Sequence, residues 1–477
     1  MKIYSTAFGP HDHNTYDGIL HKQYERYTRL KHNMPYDLNS FFKEYFKSKT
    51  DILAFTTTIG GYGHIVKPTL LKEFLNWKPA SLWDYKKIGN RYYIDHHQSH
   101  AAYAFLCSKY KQSDILAIDG RGWKYNCLFF NKDGKIFDLS ESMGIGQMWD
   151  KISVYLGFGT LGAGKVMGLS AYGSYSEEVH TIIDYYRDNN FSFPKNIKNV
   201  IKENKPEDVA YTLQHVTQEL VIEYVYPLKS CNNLCVAGGV AYNGYINNHF
   251  LSHYKNVFVP PAPGDEGQSL GTYMHADKII NNNIHIPNTY AGEKYNYVGD
   301  EKLNIKNVAQ QLADGKIIGW YQGKSESGNR ALGNRSILAN PSIPNIKDII
   351  NRTIKMREDF RPFAPAVLEE HYKDYFDTDQ PSPYMSRIVN VKRNKFNIIP
   401  GVIHVDGTAR IQTVNKYQNK KFYNLIKKFY NITGIPMLLN TSFNCQEPIV
   451  ETPEQAITTF RKTALDLLVI NDWIIRS

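Results

Sequence analysis

The chain has 477 residues, of which 42 % are hydrophobic and 21 % charged. These are the proportions of a folded protein with two or three domains and exclude a mainly disordered chain. No apolar run approaches the ~20 residues that cross a bilayer, and MKIYSTAFGPHDHNTY lacks the apolar core of a signal peptide, so the sequence predicts a cytoplasmic protein without a membrane partner. A net charge of +10 favours acidic partners: nucleic acid, an anionic surface or phosphorylated small molecules. The five cysteines, Cys107, Cys127, Cys231, Cys235 and Cys445, are too few for a disulfide scaffold, and the lone C-x-x-x-C has no second pair to make a zinc knuckle.

The chain opens on a strand-like MKIYSTAF, a polar turn and DILAFTTT. DHHQSHAAYAFLCSKY reads as a helix capped by Asp95, and SDILAID as a buried strand closed by a Gly-rich turn. Val209, Leu213, Val216, Leu220 and Tyr224 follow the helical period between Glu207 and Pro227. NLCVAGGVAYN then reads as a strand ending in paired glycines, and this alternation predicts an α/β fold. Residues 280–300 are polar and aperiodic; beyond them a helix (NIKNVAQQLADG), a strand (KIIGWYQG), a basic loop and further elements restart the pattern. The expected division is a domain at 1–285, a linker at 286–300 and a domain at 301–477. No internal sequence repeat is evident. The Lys- and Asn-rich stretch 392–425 reads as solvated surface.

His96 and His100, four apart on a helix, share a face and could grip one metal ion; the alternative is a structural pair. Asp119, ending a strand in a Gly-rich turn, and Asp265, in PPAPGDEGQSLG, would complete an N/O donor set suited to iron, manganese or zinc; alternatively each is a turn or cap residue. His97 points off the shared face. Gly238 and Gly239 admit close approach of a backbone or ligand, and Lys165 stands among glycines that would let it reach an anion. Neither a Walker A loop nor a G-x-G-x-x-G fingerprint is present. Arg330, Arg335, Lys355, Arg357, Arg361 and Arg410 lie among Gly, Asn and Pro, with Ser442 and Asn444 in LLNTSFN. Several charge-assisted bonds from such groups, at about 1.5–3 kcal/mol each, could hold a triphosphate. Scattered surface arginines are the alternative, or single-stranded nucleic acid stacked on Phe360 and Phe363.

HDHNTYDGIL, YERYTRLKHN, DHHQSHAAYAF, AIDGRG, GKVMGLSAYG, AGGVAYNGYIN, APGDEGQSLG, NRALGNRSILANP, REDFRPFAP, HVDGTARIQTV and LLNTSFNCQEPIVETP, in this order from about residue 8 to the C-terminus, resemble the O-carbamoyltransferases of the nodulation-factor and antibiotic type. The resemblance implies a two-lobed, actin-like N-terminal domain of the threonylcarbamoyltransferase kind and a YrdC-like α/β C-terminal domain. It implies that ATP (with Mg2+) and carbamoyl phosphate become carbamoyl adenylate in the second domain. The carbamoyl group then passes to an acceptor hydroxyl in the first.

By motif, His96, His100, Asp119 and Asp265 correspond to ligands of a divalent metal, iron in relatives. His11 and Lys31 correspond to transfer residues, expected as base and charge stabiliser. Lys165, Gly238, Gly239 and Asn243 are expected around the adenylate. Arg330, Lys355, Arg361, Arg410, Ser442 and Asn444 are expected around ATP and carbamoyl phosphate, with Arg335 and Arg357 adjacent. Two departures, Trp123 where the family has glutamate and HDHNT in place of HDAS, fall near the expected acceptor site. The acceptor is expected to be a small alcohol: a sugar, a natural product or a hydroxymethylated pyrimidine nucleotide. A homodimer is compatible with the reading, and stable nucleic-acid binding is not required by it. The alternatives are a tRNA threonylcarbamoyl-type enzyme and a non-catalytic nucleotide- or nucleic-acid-binding module.

Overall fold

The computed structural model describes residues 2–8, 13–29, 52–57, 77–120 and 126–476. They form two compact units, Met1–Ala291 and Gly292–Ser477. The boundary falls inside the stretch expected as a linker, but that stretch is no bare tether. Ala291 is buried in the first unit, and Tyr295 and Tyr297 pack on the core of the second.

Among its described residues the first unit holds two sheets. One contains β1 (Ile3–Phe8), β2 (Asn14–Tyr16), β3 (His21–Gln23), β4 (Ile52–Thr57), β5 (Lys86–Ile88) and β6 (Arg91–Tyr93), in the order β3-β2-β1-β4-β6-β5. The other contains β7 (Asp114–Ile118), β8 (Cys127–Phe130), β9 (Ile136–Asp138), β10 (Asn233–Ala237) and β11 (Asn256–Phe258), in the order β11-β10-β7-β8-β9. Leaving out β5, the two are wired alike. Three successive strands run antiparallel (β1-β2-β3, β7-β8-β9), and two more lie parallel on the other side of the first strand (β4-β6, β10-β11). The repeat that the sequence does not display is therefore a repeat of topology.

Each sheet ends in a long helix, and the two helices are exchanged. His96–Ser108 follows the first sheet yet packs on β7 and β10 of the second, while Gln268–Asn281 follows the second sheet and packs on β1 and β4 of the first. They also cross each other, Gly271 against Ser99, where a Cβ on the glycine would overlap the Ser99 carbonyl oxygen. Asp95 caps the first helix through His97 N–H and forms a capping box with Gln98. Every residue from His96 to Ala104 is buried, so this stretch of the helix is enclosed all round rather than amphipathic.

Between β9 and β10 lies a helical layer whose longest member, Pro206–Val225, starts with proline at a position that needs no backbone donor. It buries Val209, Leu213, Val216 and Leu220. Tyr224, expected on the same stripe, lies half-buried with its hydroxyl accepting from Arg187, and Val221 and Val225 close the buried face instead.

The second unit is built on one mixed sheet of nine strands: β12 (Glu301–Lys302), β13 (Ile318–Tyr321), β14 (Arg335–Ala339), β15 (Ala364–Leu368), β16 (Arg387–Asn390), β17 (Thr408–Val414), β18 (Met437–Ser442), β19 (Leu467–Ile470) and β20 (Trp473–Arg476), in the order β12-β20-β19-β13-β14-β18-β15-β17-β16. Trp320, Leu338, Val367, Ile411, Leu438 and Val469 lie in its core. The helix Lys420–Thr433 buries Phe422, Leu425, Ile426 and Phe429 against the sheet, at helical spacing. Reading 392–425 as surface is thus corrected in part. β17, inside that stretch, is buried along its whole length, because an interior strand flanked by β15 and β16 has no solvent face for its polar residues.

Candidate functional site

The two exchanged helices and the tip of β7 bring His96, His100, Asp119 and Asp265 together. One donor atom from each lies within 4.8 Å of all the others. His96 Nε2 is 2.9 Å from Asp119 Oδ2 and 3.3 Å from Asp265 Oδ1; His100 Nε2 is 3.3 and 3.4 Å from the same two oxygens. Bonds of about 2.0–2.2 Å from a common ion put neighbouring ligand atoms about 3–3.5 Å apart, so these spacings fit a shared metal. The donors, two imidazole nitrogens and two carboxylate oxygens without thiolate, suit iron, manganese or zinc. His97, buried beside them, is not in the group.

The surrounding backbone sets each ligand. Asp119 Oδ1 accepts from the N–H groups of Gly120 (2.7 Å) and Gly239 (3.1 Å), which leaves Oδ2 facing the histidines. Gln268 donates from Nε2 to the His96 carbonyl oxygen at 3.1 Å, and Ser99 Oγ donates to the Gln268 carbonyl oxygen at 2.8 Å. Outer contacts of this kind orient the groups that would ligate a metal.

Burial alone would lower the pKa of His100, but its hydrogen bonds to Asp119 and Asp265 and their negative charge raise it to about 9. Burial would raise Asp119, but hydrogen bonds from His100 and His96 hold it well below the usual carboxylate range. Without metal, the contribution of charged His100 to stability is full below about 6.5, its unfolded value, and is lost as pH rises through about 9. That of Asp119 is present above its ordinary 3.8 and is lost as pH falls through the lowered value. A bound ion needs neutral His100. Metal uptake is therefore expected to release a proton, with affinity climbing with pH and levelling near 9; titration in buffers of different ionisation enthalpy measures that proton, and uptake without it would contradict the assignment.

Gly238 and Gly239 do admit a close approach, but of the protein itself. A Cβ on Gly238 (φ +95°) would overlap the Ile118 carbonyl oxygen, and one on Gly239 would stand 2.8 Å from Asp119 Oδ1. Their immediate role is to seat Asp119. The Asn243 carboxamide caps the helix Gly244–His249 through Tyr245 and Ile246 N–H and donates to Gln214 Oε1 at 2.8 Å. Lys165 lies on the helix Ala163–Leu169 with its ammonium 5.7 Å from the Phe158 ring centre. His11, Lys31 and Trp123 lie outside the described residues.

In the second unit Lys355, Ser442 and Asn444 meet. The buried Lys355 Nζ donates to the Ser442 carbonyl oxygen (2.5 Å), the Asn444 carbonyl oxygen (3.0 Å) and Asn444 Oδ1 (2.7 Å), with Ser442 Oγ at 3.2 Å. Its three protons thus hold the loop after β18 in shape. Lys355 closes a short π-helix, Asn351–Lys355, followed by Met356 in the left-handed region (φ 46°). Arg357 stacks over Phe363 with its guanidinium carbon 4.8 Å from the ring centre and donates from Nε to Asn351 Oδ1. Burial, then the nearby charges of Arg361 and Arg330, lowers its pKa to about 9. The Glu358 carboxylate offsets part of this positive charge. Arg361 is partly exposed beside Glu358, and Arg410 is buried, its guanidinium 3.4 Å from the Met385 carbonyl oxygen.

Arg335 departs from the expectation. It is fully buried, stacked 3.6 Å from the Tyr321 ring centre, and donates to the carbonyl oxygens of Gln322, Asn334, Gly323 and Glu451. That is a clamp on the loop carrying Arg330 rather than a ligand contact. Glu326 is its complement, unmarked in the sequence reading: its Oε1 accepts from Leu332, Asn334 and Arg335 N–H. A lone glutamate in a Gly- and Asn-rich basic loop was the available signal. Phe363 is 3 % exposed, so the base-stacking alternative loses its second platform to the core and to Arg357.

Residues 12–274 match the family description "Carbamoyltransferase N-terminus" and residues 309–477 match "Carbamoyltransferase C-terminus". The chain belongs to the carbamoyltransferase family. It is 34 % identical to nodulation protein NolO of Bradyrhizobium diazoefficiens over 80 % of this chain and 79 % of that one. It is also 34 % identical to nodulation protein NolNO of Sinorhizobium fredii, spanning 64 % of its length, and to an uncharacterised Methanocaldococcus jannaschii protein over 94 % of each chain. A similar solved structure is the activator of 2-hydroxyisocaproyl-CoA dehydratase from Clostridium difficile with bound ADPNP, at 12 % identity and a TM-score of 0.35, covering 58 % of this chain and 93 % of that one. As a carbamoyltransferase the chain is a transferase, and among its described residues no helix is long and apolar enough to cross a membrane.

Proposed function

We propose that this carbamoyltransferase is an ATP-dependent O-carbamoyltransferase that proceeds through carbamoyl adenylate. The second unit, read as YrdC-like, would join the carbamoyl group of carbamoyl phosphate to AMP. Carbamoyl adenylate keeps neither the phosphoryl group of the one substrate nor the two terminal phosphates of the other. The step therefore consumes one water and releases one phosphate and one pyrophosphate. Arg330, Arg357 and Arg361 would meet the phosphates, with Lys355, Ser442 and Asn444 shaping the loop beside them and Arg410 on the neighbouring strand. A carbamoyl carbon is deactivated by its own nitrogen, and AMP gives it a good leaving group.

The first unit, whose doubled topology with exchanged helices supports the actin-like reading, would carry out transfer. The acceptor oxygen bonds to the carbamoyl carbon, the bond from that carbon to the AMP oxygen breaks, and the hydroxyl proton passes to His11. Lys31 would offset the charge that develops on the carbonyl oxygen. His96, His100, Asp119 and Asp265 would hold a divalent ion, for which iron is the first choice; when bound it supplies Lewis acidity to a carbonyl oxygen. This four-donor group inside a matched carbamoyltransferase N-terminus is the observation that carries the reading.

The acceptor is a small alcohol, with sugars, aminoglycosides and hydroxymethyl-dCMP as the classes to try. ATP and carbamoyl phosphate mixed with the protein should yield pyrophosphate only when both are present, and the right alcohol should gain a carbamoyl group by mass. Absence of carbamoyl-phosphate-dependent pyrophosphate would remove the adenylate mechanism.

A further inference from the structure

The helix Gln268–Asn281 delivers Asp265 to the four-ligand group, yet its own N-terminus is not capped from within. Neither Gly267 before the helix nor Gly264 before the preceding turn, Asp265–Gly267, supplies a side-chain cap. The first N–H groups of a helix have no intrahelical partner and need an acceptor from elsewhere. Here it comes from the first sheet, on which the helix packs. Asn14, the first residue of β2, is fully buried; its Oδ1 accepts from Ser269 N–H at 2.9 Å, and its Nδ2 donates to the Asp265 carbonyl oxygen at 2.8 Å. One carboxamide thus spans the turn from Asp265 to Ser269. Ser5 Oγ, on β1, adds a bond to the Ser269 carbonyl oxygen at 2.7 Å. On the same turn Asp265 Oδ1 stands 3.3 and 3.4 Å from His96 and His100 Nε2.

We propose that Asn14 is the positioning residue for the metal ligand Asp265: acting as a helix cap supplied by the sheet beneath the helix, it sets the turn that aims the Asp265 carboxylate at His96 and His100. The assignment rests on reading those four residues as a metal centre. Only a carboxamide presents an acceptor and a donor at this spacing. Aspartate would keep the bond from Ser269 N–H but lose the one to Asp265 and add a like charge beside it. Leucine keeps the volume and loses both bonds. Of the first loop's HDHNT, His13, stacked on Tyr24 at 4.8 Å, is buried like Asn14.

The test is Co2+ binding to the full chain, followed by visible absorption and by competition with a chelator, for the wild type, Asn14→Leu, Asn14→Asp and His100→Ala. Loss of an outer-sphere partner typically weakens metal binding about ten- to a hundredfold, and this is expected for Asn14→Leu, with Asn14→Asp between it and the wild type. The melting temperature, read with and without Co2+, separates positioning from mere support. Positioning shrinks the rise that Co2+ produces, whereas a purely structural role lowers both temperatures together and keeps the affinity. Asn14→Leu affinity within twofold of wild type would overturn the assignment. Should Asn14→Leu not fold, Asn14→Ser, which can keep one bond, is read by the same criterion. Wild-type Co2+ binding that His100→Ala leaves untouched would instead overturn the metal centre itself, and this proposal with it.

Discussion

Asp119→Ala is expected to abolish carbamoyl transfer and to strip the metal, while pyrophosphate release from ATP and carbamoyl phosphate continues. The carboxylate joins three things at once: two backbone N–H groups, from Gly120 and Gly239, on Oδ1, and both histidines on Oδ2. Removing it takes away one of four donors and leaves the two N–H groups facing a void. It also deprives His100 of its nearest negative partner and leaves Asp265 alone to oppose the effect of burial on that imidazole. Losing a group that only supports a ligand costs about ten- to a hundredfold in metal affinity; a lost ligand should exceed this. The mirror experiment is Arg357→Met in the second unit, which should depress pyrophosphate release and leave bound metal per chain unchanged. Loss of pyrophosphate release in Asp119→Ala, or loss of transfer from preformed carbamoyl adenylate in Arg357→Met, would mean that the two chemistries are not divided between the units as proposed.

The site was legible where the chemistry is local in sequence. The spacing of His96 and His100 shows in any helical reading, and the Gly-rich context of Asp119 marks a strand tip. What joins Asp119 and Asp265 to the histidines is the exchange of two helices between sheets, and no sequence period encodes it. The same exchange hid the doubled topology: the two sheets bury different side chains and face different partners, so their wiring repeats while their residues do not. The cation count in the second unit was legible, but the role of each cation was not. Arg335 and Arg330 sit five residues apart in near-identical NR contexts, yet one is fully buried among carbonyl oxygens and the other only partly buried in the loop. The difference is made by β14, which begins at Arg335 and carries that side chain inward against Tyr321. Asn14 and Glu326 escaped notice because each bonds to backbone groups, which leave no mark in a side-chain pattern.

Gly271→Ala should destabilise the first unit although it adds only a methyl group inside a helix. Replacing glycine by alanine inside a helix ordinarily stabilises by about 1 kcal/mol, so the sign depends on what the methyl meets. At Gly271 it meets the Ser99 carbonyl oxygen at an overlapping distance, and the Ser99 Oγ bonds to the Gln268 carbonyl oxygen and Thr272 Oγ1, both 2.8 Å, leave the crossing no slack. Overpacking of this kind costs roughly 1–3 kcal/mol, occasionally more. A clash with backbone rather than a flexible side chain belongs at the upper end, near a net 2–3 kcal/mol of destabilisation. Because the crossing helices carry His96 and His100 on one side and deliver Asp265 on the other, metal affinity should fall along with stability, both read in one set of denaturant titrations with and without Co2+. Gly164→Ala is the control. It lies in the helix Ala163–Leu169 with nothing within 4 Å of the added methyl, and it should be neutral or stabilising by up to about 1 kcal/mol. If Gly271→Ala behaved like Gly164→Ala, the two helices would not be in the contact that assembles the four ligands.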